Sequence, residues 1–286
     1  MNAKDTLFCK KSTLNANGKI LSLETPLVMG ILNVTPDSFF EGNRMATNSQ
    51  LLERAGSMLE QGATILDIGG YSTRPGAAAV SEAEERARVI PAIKAVKDSY
   101  PEAVISVDTF RAAIAEEAVE NGASVINDVS GGELDAEMFS TAGKLQVPYI
   151  LMHMRGTPQT MAKLTTYTDI VLELVTYFEQ KVAALRKAGV TDIILDPGFG
   201  FAKTVEQNYQ LLRRLRDFEL FELPILAGLS RKSMTYKPLG IAATEALAGT
   251  IAVNTMALLN GADILRVHDV KEAVQTVLLY IKTNTA

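Results

Sequence analysis

The sequence predicts a single (β/α)₈ barrel entered through an N-terminal β-hairpin. Short apolar runs rich in Val and Ile recur along the chain, each followed by a polar or Gly-rich turn and a longer stretch with helical periodicity. Fitting eight such units into about 250 residues gives the usual size of this barrel. The runs lack polar alternation, as parallel strands covered by helices on one side and packed on the other should. A doubly wound open sheet is the alternative that the pattern allows. No linker rich in Pro, Gly or Ser and no low-complexity tract divides the chain, so residues 1–286 read as one domain.

The hairpin is expected within Thr6 to Thr25, where two short alternating runs flank Asn17-Gly18, a dipeptide that tolerates the positive φ angles of a tight turn. The barrel strands follow as Leu27 to Asn33, Thr64 to Gly69, Val104 to Asp108, Ser124 to Asp128, Tyr149 to His153, Asp192 to Asp196, Ile225 to Leu229 and Asp263 to Val267. Helices fill the intervals. In the fifth, Val171, Leu174, Val175, Phe178, Val182 and Leu185 recur every three or four residues and form one apolar face, while Glu173, Glu179 and Lys181 point outward. Asn121-Gly122, Ala188-Gly189 and Asn260-Gly261 close helices just before strands, where glycine readily takes a left-handed cap.

Composition narrows the function. The chain is 47% apolar and 21% charged, which is enough to build a buried core. The apolar stretch Ala246 to Leu259 is broken by Gly249, Thr250, Asn254 and Thr255 and is too short to span a bilayer. Met1 to Lys11 lacks the apolar centre of a secretory signal, so a cytoplasmic protein is expected. The lone cysteine, Cys9, cannot form an internal disulfide and reads as a half-buried strand residue. With a net charge of -5 and no basic run interleaved with aromatics, a small molecule fits better than nucleic acid as partner. Two histidines and one cysteine give poor support to a zinc site; magnesium carried in with a phosphate ligand is the metal to expect.

In this fold, reactive groups gather where strands end, because eight adjustable loops converge there. The predicted strands end in Asn33, Asp67, Asp108, Asn127-Asp128, His153, Asp196, Ser230-Arg231-Lys232 and Arg266-Val267-His268. Any one Asp or Asn here could merely cap the next helix. Capping, however, needs neither the basic residues after strands seven and eight nor so many acids and amides together. A polar pocket at the rim accounts for the whole set.

The same residues carry a family resemblance. Met29-Gly30-Ile31-Leu32-Asn33-Val34-Thr35-Pro36-Asp37-Ser38-Phe39 and Asp67-Ile68-Gly69-Gly70-Tyr71-Ser72-Thr73-Arg74-Pro75-Gly76 resemble the two signature segments of dihydropteroate synthases. The match continues through Ser106-Val107-Asp108-Thr109, Ile126-Asn127-Asp128-Val129-Ser130-Gly131-Gly132, Leu151-Met152-His153-Met154, Asp196-Pro197-Gly198-Phe199-Gly200-Phe201, Gly228-Leu229-Ser230-Arg231-Lys232-Ser233 and Arg266-Val267-His268. One departure stands out: where many members read Asp-Gly-Gly after the Ser-Phe segment, this chain has Glu41-Gly42-Asn43-Arg44, which puts the part Glu41 plays at the metal in question.

The resemblance implies a transferase of folate biosynthesis, a sulfonamide target and a homodimer, that joins dihydropterin pyrophosphate to 4-aminobenzoate. It implies that Asp108, Asn127, Asp196 and Lys232 match the donors and acceptors of the pterin edge, with Asp196 accepting from the 2-amino group and the adjacent ring N–H. Arg266 would lie against the pterin face, with Met152 and Phe201 as apolar contacts. Asn33, Thr73, Arg74, Arg266 and His268 would hold the pyrophosphate, and Asn33 would also approach Mg²⁺. Phe39 and Pro75 would form the slot for the 4-aminobenzoate ring, with Ser233, at a predicted helix start, receiving its carboxylate. The apolar helix from Glu245 to Leu259 could serve the dimer or simply the core.

Three other functions compete with this one. A corrinoid-linked methyltransferase would keep Asp108, Asn127 and Asp196 but has no need of Ser72 to Gly76 or Ser230 to Ser233. A non-catalytic pterin-binding relative should have lost Asn33, Arg74 or Lys232, and all three remain. Without the resemblance, a phosphate-binding barrel lyase or isomerase using Lys232 as a Schiff-base amine would be the natural guess.

Overall fold

The computed structural model describes residues 10–34, 44–71 and 80–285, of which 44–47 by backbone alone. The hairpin pairs β1 (Thr13–Ala16) with β2 (Lys19–Ser22), antiparallel, in the register Thr13↔Ser22 to Ala16↔Lys19. At its tip Asn17 has φ 53° and Gly18 φ 88°, the paired positive angles that suit a two-residue turn. The expected start of the hairpin, Thr6 to Cys9, lies outside the described residues.

Eight parallel strands follow: β3 (Leu27–Asn33), β4 (Ile65–Gly69), β5 (Val104–Asp108), β6 (Val125–Asp128), β7 (Tyr149–Met152), β8 (Ile193–Asp196), β9 (Leu226–Ala227) and β10 (Ile264–Val267). They run side by side in the order β8-β7-β6-β5-β4-β3-β10-β9, and a parallel bridge between Leu195 and Ile225 joins β8 to β9 to close the ring. Between them lie α1 (Arg44–Glu60), α2 (Glu82–Ser99), α3 (Ala112–Glu120), α4 (Met138–Leu145), α5 (Ile170–Lys187) and α6 (Val205–Arg213). After β9 come the single turn α7 (Ser233–Tyr236) and α8 (Leu247–Leu259), and α9 (Val270–Thr285) ends the chain. This is the predicted barrel, not the open sheet.

Most strands match their predicted bounds to within a residue. The exception is β9, expected over Ile225 to Leu229 and confined to two residues. Pro224 offers no N–H, and beyond Ala227 the backbone turns away: Lys232 N–H donates to the Leu229 carbonyl, with Arg231 in a left-handed conformation at φ 54°. The fifth helix buries Val171, Leu174, Phe178, Val182 and Leu185 as its periodicity requires, and Asp169 caps it by accepting from the N–H groups of Val171 and Leu172. The glycines predicted as caps, Gly122, Gly189 and Gly261, all have positive φ.

One core layer lies between strands and helices, and a second fills the barrel floor. There Leu14, Ala16 and Leu21 of the hairpin pack against Leu27, Met29, Ile65, Val104, Val125, Ile150, Ile194, Leu226 and Ile264. The hairpin is thus a plug on the end opposite the polar rim. Asp192 fastens it, accepting from the Asn15 N–H at 2.7 Å and pairing with Lys11. Leu14 is fully buried at the end opposite the rim, so Leu14→Ala is expected to cost about 3 kcal/mol in chemical denaturation while leaving the rim itself unchanged. No described helix is long and apolar enough to cross a membrane.

Candidate active site

Strand ends bring the predicted residues to one mouth. Because side chains alternate along a strand, Asp67 and Asn127 point into the barrel, whereas Asp128 turns outward and ties its own loop by accepting from Ser130, Gly132 and Tyr149. Asp128 therefore serves its own loop and not the pocket, and it does not cap the next helix, which starts at Met138 with Glu137 in the cap position. The mouth opens into a cavity of about 730 Å³, large enough for a bicyclic ligand with an attached group. Asn33, Asp108, Phe201, Lys232, Ser233, Arg266 and His268 line it, all named from the sequence. Asn127, Met152 and Asp196 are not on that lining; they are buried at 2%, 2% and 6% exposure, as strand-end or strand residues of the same rim. Phe39, Glu41, Thr73, Arg74 and Pro75 lie outside the described residues, and so does Cys9.

The centre of the site is a charge network that sequence reasoning missed. Arg266 Nε donates to Asp67 Oδ2 and Arg266 Nη2 to Asp108 Oδ2, each at 2.6 Å. Asn127 Nδ2 donates to the same Asp67 oxygen at 3.1 Å. The guanidinium is therefore gripped along its edge by two carboxylates, and it still lines the cavity. From the sequence Asp67 is one of the polar strand ends of the rim, with no partner or role assigned to it. Its parity, two residues after inward-facing Ile65, was the signal available. Tyr71, Met161 and Tyr236 also line the cavity and were not foreseen.

Burial dominates the electrostatics. It pushes the Asp108 carboxyl well above the usual carboxylate range, against the pull of Arg266, and neighbouring Asp67 adds to the rise. Asp196 is raised by burial and drawn back by Lys232; its Oδ1 accepts from the Gly198 N–H at 2.7 Å. Arg266 is held above its ordinary value by Asp67 and Asp108 in spite of burial. Burial, then Arg266 and Arg54, lowers the His268 imidazole to about 4, so it is neutral at physiological pH and can offer a ligand one N–H. Its backbone N–H is held by the Ser230 hydroxyl at 3.2 Å.

Lys232 donates to the Phe199 carbonyl and stands 4.7 Å from the centroid of the Phe201 ring. Burial lowers its ammonium to about 8, although Asp196 resists the fall. Since the charged form is lost as pH rises through that value, kcat/KM for the ligand that bonds Lys232 is expected to fall on the alkaline side with an apparent pKa near 8. A pH profile of the wild type beside Lys232→Arg checks this; the arginine protein should lose the limb.

Ser233 begins α7 as predicted, but that helix is a single turn, so an anion there would rest on a few free N–H groups with little dipole behind them. Arg231 also faces the cavity; its charge is engaged by Asp269, through two bonds of 2.9 Å, and its guanidinium donates to the carbonyls of Ala243 and Thr244. Among the described residues no group of three or more acidic, His or Cys side chains is spaced to hold a metal. The Asn33 amide is one oxygen donor at the rim. An amide oxygen is a hard donor of the kind that Mg²⁺ takes.

Comparison with known proteins then gives a consistent picture. The sequence profile described as pterin binding enzyme matches residues 29–268. The chain is 43% identical over 279 residues to the dihydropteroate synthase of Escherichia coli (strain K12), covering 96% of this chain and 97% of that one. A Xanthomonas albilineans dihydropteroate synthase with 4-aminobenzoic acid superposes with a TM-score of 0.90 at 37% identity, covering 96% and 99% of the two chains. The same enzyme in complex with 7,8-dihydropteroate gives 0.86 at 35% identity over 96% and 99%.

Proposed function

The chain belongs to the dihydropteroate synthases of the pterin binding enzyme family, and on that premise we propose that its rim cavity condenses 6-hydroxymethyl-7,8-dihydropterin pyrophosphate with 4-aminobenzoate, giving 7,8-dihydropteroate and pyrophosphate. It is a transferase of folate biosynthesis. The observation that carries the reading is the set formed by buried Asp108, Asn127 and Asp196 with half-buried Lys232 and Arg266 at one rim, which combines acceptors, an amide and cations as the amino-pyrimidinone edge of a pterin demands.

In this reading Asp196 accepts from the 2-amino group and ring N–H, Asn127 and Asp108 meet neighbouring ring atoms, and Lys232 donates to the carbonyl side. Met152 and Phe201 supply apolar contact, and Arg266 covers one face. Asn33, Arg266 and His268 hold the pyrophosphate together with Thr73 and Arg74. Mg²⁺ carried by the pyrophosphate and approached by Asn33 would neutralise charge on the leaving group. The carbon–oxygen bond to pyrophosphate breaks to leave a pterin methyl cation delocalised into the ring. The amine of 4-aminobenzoate, with Phe39 and Pro75 at its ring and Ser233 at its carboxylate, attacks that carbon and then loses a proton. Little acid or base chemistry is needed, so positioning and the exclusion of water provide most of the rate.

We also place the protein in the cytoplasm, as a homodimer open to sulfonamide competition at the amine site. Exposed Met256 and Leu259 on α8, and exposed Leu278 and Leu279 on α9, the helix packed against it, support an interface there. The test of the function is pyrophosphate release by the purified protein with dihydropterin pyrophosphate and Mg²⁺, with and without 4-aminobenzoate. Amine-dependent dihydropteroate establishes the reading; tight pterin binding without product favours the methyltransferase or non-catalytic alternatives.

A further inference from the structure

Lys203 follows the turn after β8, is only 8% exposed, and has no part in the chemistry described above. Its Nζ lies 2.9 Å from His153 Nδ1 and donates to the carbonyls of Gly198 and Phe201, each at 3.0 Å, with a longer contact of 3.4 Å to the His153 carbonyl. The Phe201 N–H also donates to the Gly198 carbonyl, so the lysine closes this turn from inside. The turn has little slack: at Gly198, with φ +68°, an added Cβ would meet the His153 carbonyl oxygen at 2.1 Å. Burial pushes the Lys203 amine well below the usual lysine range while Asp196 draws it back up. Two N–H donors serve the two shorter carbonyl bonds in either protonation state.

The same turn carries three groups of the candidate site. Its Gly198 N–H holds the Asp196 carboxylate, its Phe199 carbonyl receives Lys232, and its Phe201 ring faces the Lys232 ammonium. We propose that Lys203 is a positioning residue for the pterin subsite: by gathering the Gly198 and Phe201 carbonyls onto one nitrogen it fixes the turn that aligns Asp196 with Lys232. It touches neither substrate. The inference rests on the reading of this cavity as a dihydropteroate synthase site, and it predicts damage to one substrate only.

The test compares Lys203→Met with Lys203→Cys alkylated by 2-bromoethylamine, which rebuilds an aminoethyl side chain, both in a Cys9→Ser background. In the methionine protein KM for dihydropterin pyrophosphate should rise about tenfold or more, with KM for 4-aminobenzoate changed by less than about twofold. Aminoethylation should return the pterin KM to within about threefold of the parent. A lysine that only supports the fold would lower the melting temperature or active fraction and leave both KM values in place, and that outcome overturns the proposal. Should the methionine protein not fold, Lys203→Arg takes its place: a planar fork keeps donors but cannot seat one nitrogen between both carbonyls, so the pterin KM must still rise selectively. An inactive parent that binds no pterin would instead sink the functional reading beneath it.

Discussion

Replacing Arg266 with methionine is expected to abolish measurable condensation and to destabilise the fold by about 3–5 kcal/mol, the cost of leaving buried charge unpaired. Asp67 is fully buried and Asp108 8% exposed, and Arg266 is the cation that both carboxylates bond. Without it, two acids share a site of low polarity and one must take up a proton. The direction of the pH effect follows. Asp108, already raised, would have a folded pKa still further above its unfolded value, so the folded state binds more protons and stability falls as pH rises from the ordinary carboxylate range toward that raised value. Melting curves should therefore place Tm lower at pH 8 than at pH 6, where the parent shows a smaller difference. Arg266→Lys should rescue poorly, because one ammonium cannot lay two N–H groups along two carboxylates. A methionine protein as stable as the parent would show that the network contributes nothing net.

Asp196→Asn should have the next largest effect, weakening binding of dihydropterin pyrophosphate by at least about a hundredfold. Each hydrogen bond from ligand to a charged acceptor contributes about 1.5–3 kcal/mol, and two are lost or set donor against donor. The fold should tolerate the change. Asparagine has the same shape, its Oδ1 can still accept from the Gly198 N–H, and a buried charge is removed. Lys232 loses the carboxylate that holds its ammonium up, so its pKa should fall further. Calorimetry with the pterin substrate, and KM for the amine as control, separates this from general damage; an unchanged pterin affinity would remove Asp196 from the pocket.

How much of this the sequence disclosed depends on how local each determinant is. Helix faces, glycine caps and the Asn17-Gly18 turn are written within a few residues, and so they were legible. So were strand ends, since an acid or amide directly after a Val/Ile run stands out. Strand β9 was overextended because what ends it is the backbone path around Arg231, held by Asp269 some distance on, and not a change in hydropathy. Asp67 was seen but not assigned because its partners, Asn127 and Arg266, lie 60 and 199 residues away. Buried Glu85 is the same case: it sits on the inner face of α2 and accepts from Thr109 and Arg111, which the sequence alone does not bring to it. Charged residues on helices and loops ordinarily read as solvated, and only tertiary structure shows which have been taken inside.

The ring of strands closes unevenly. Seven neighbours meet along ladders, while β8 and β9 touch through the Leu195–Ile225 bridge, beside a strand of two residues. Backbone opening should be least costly at that seam, as it is wherever few hydrogen bonds must break together. Asp196 stands on one lip and the turn leading to Lys232 on the other. A molecule bonded to both would act as a stitch across the gap, so that filling the pocket and completing the cylinder become parts of a single equilibrium.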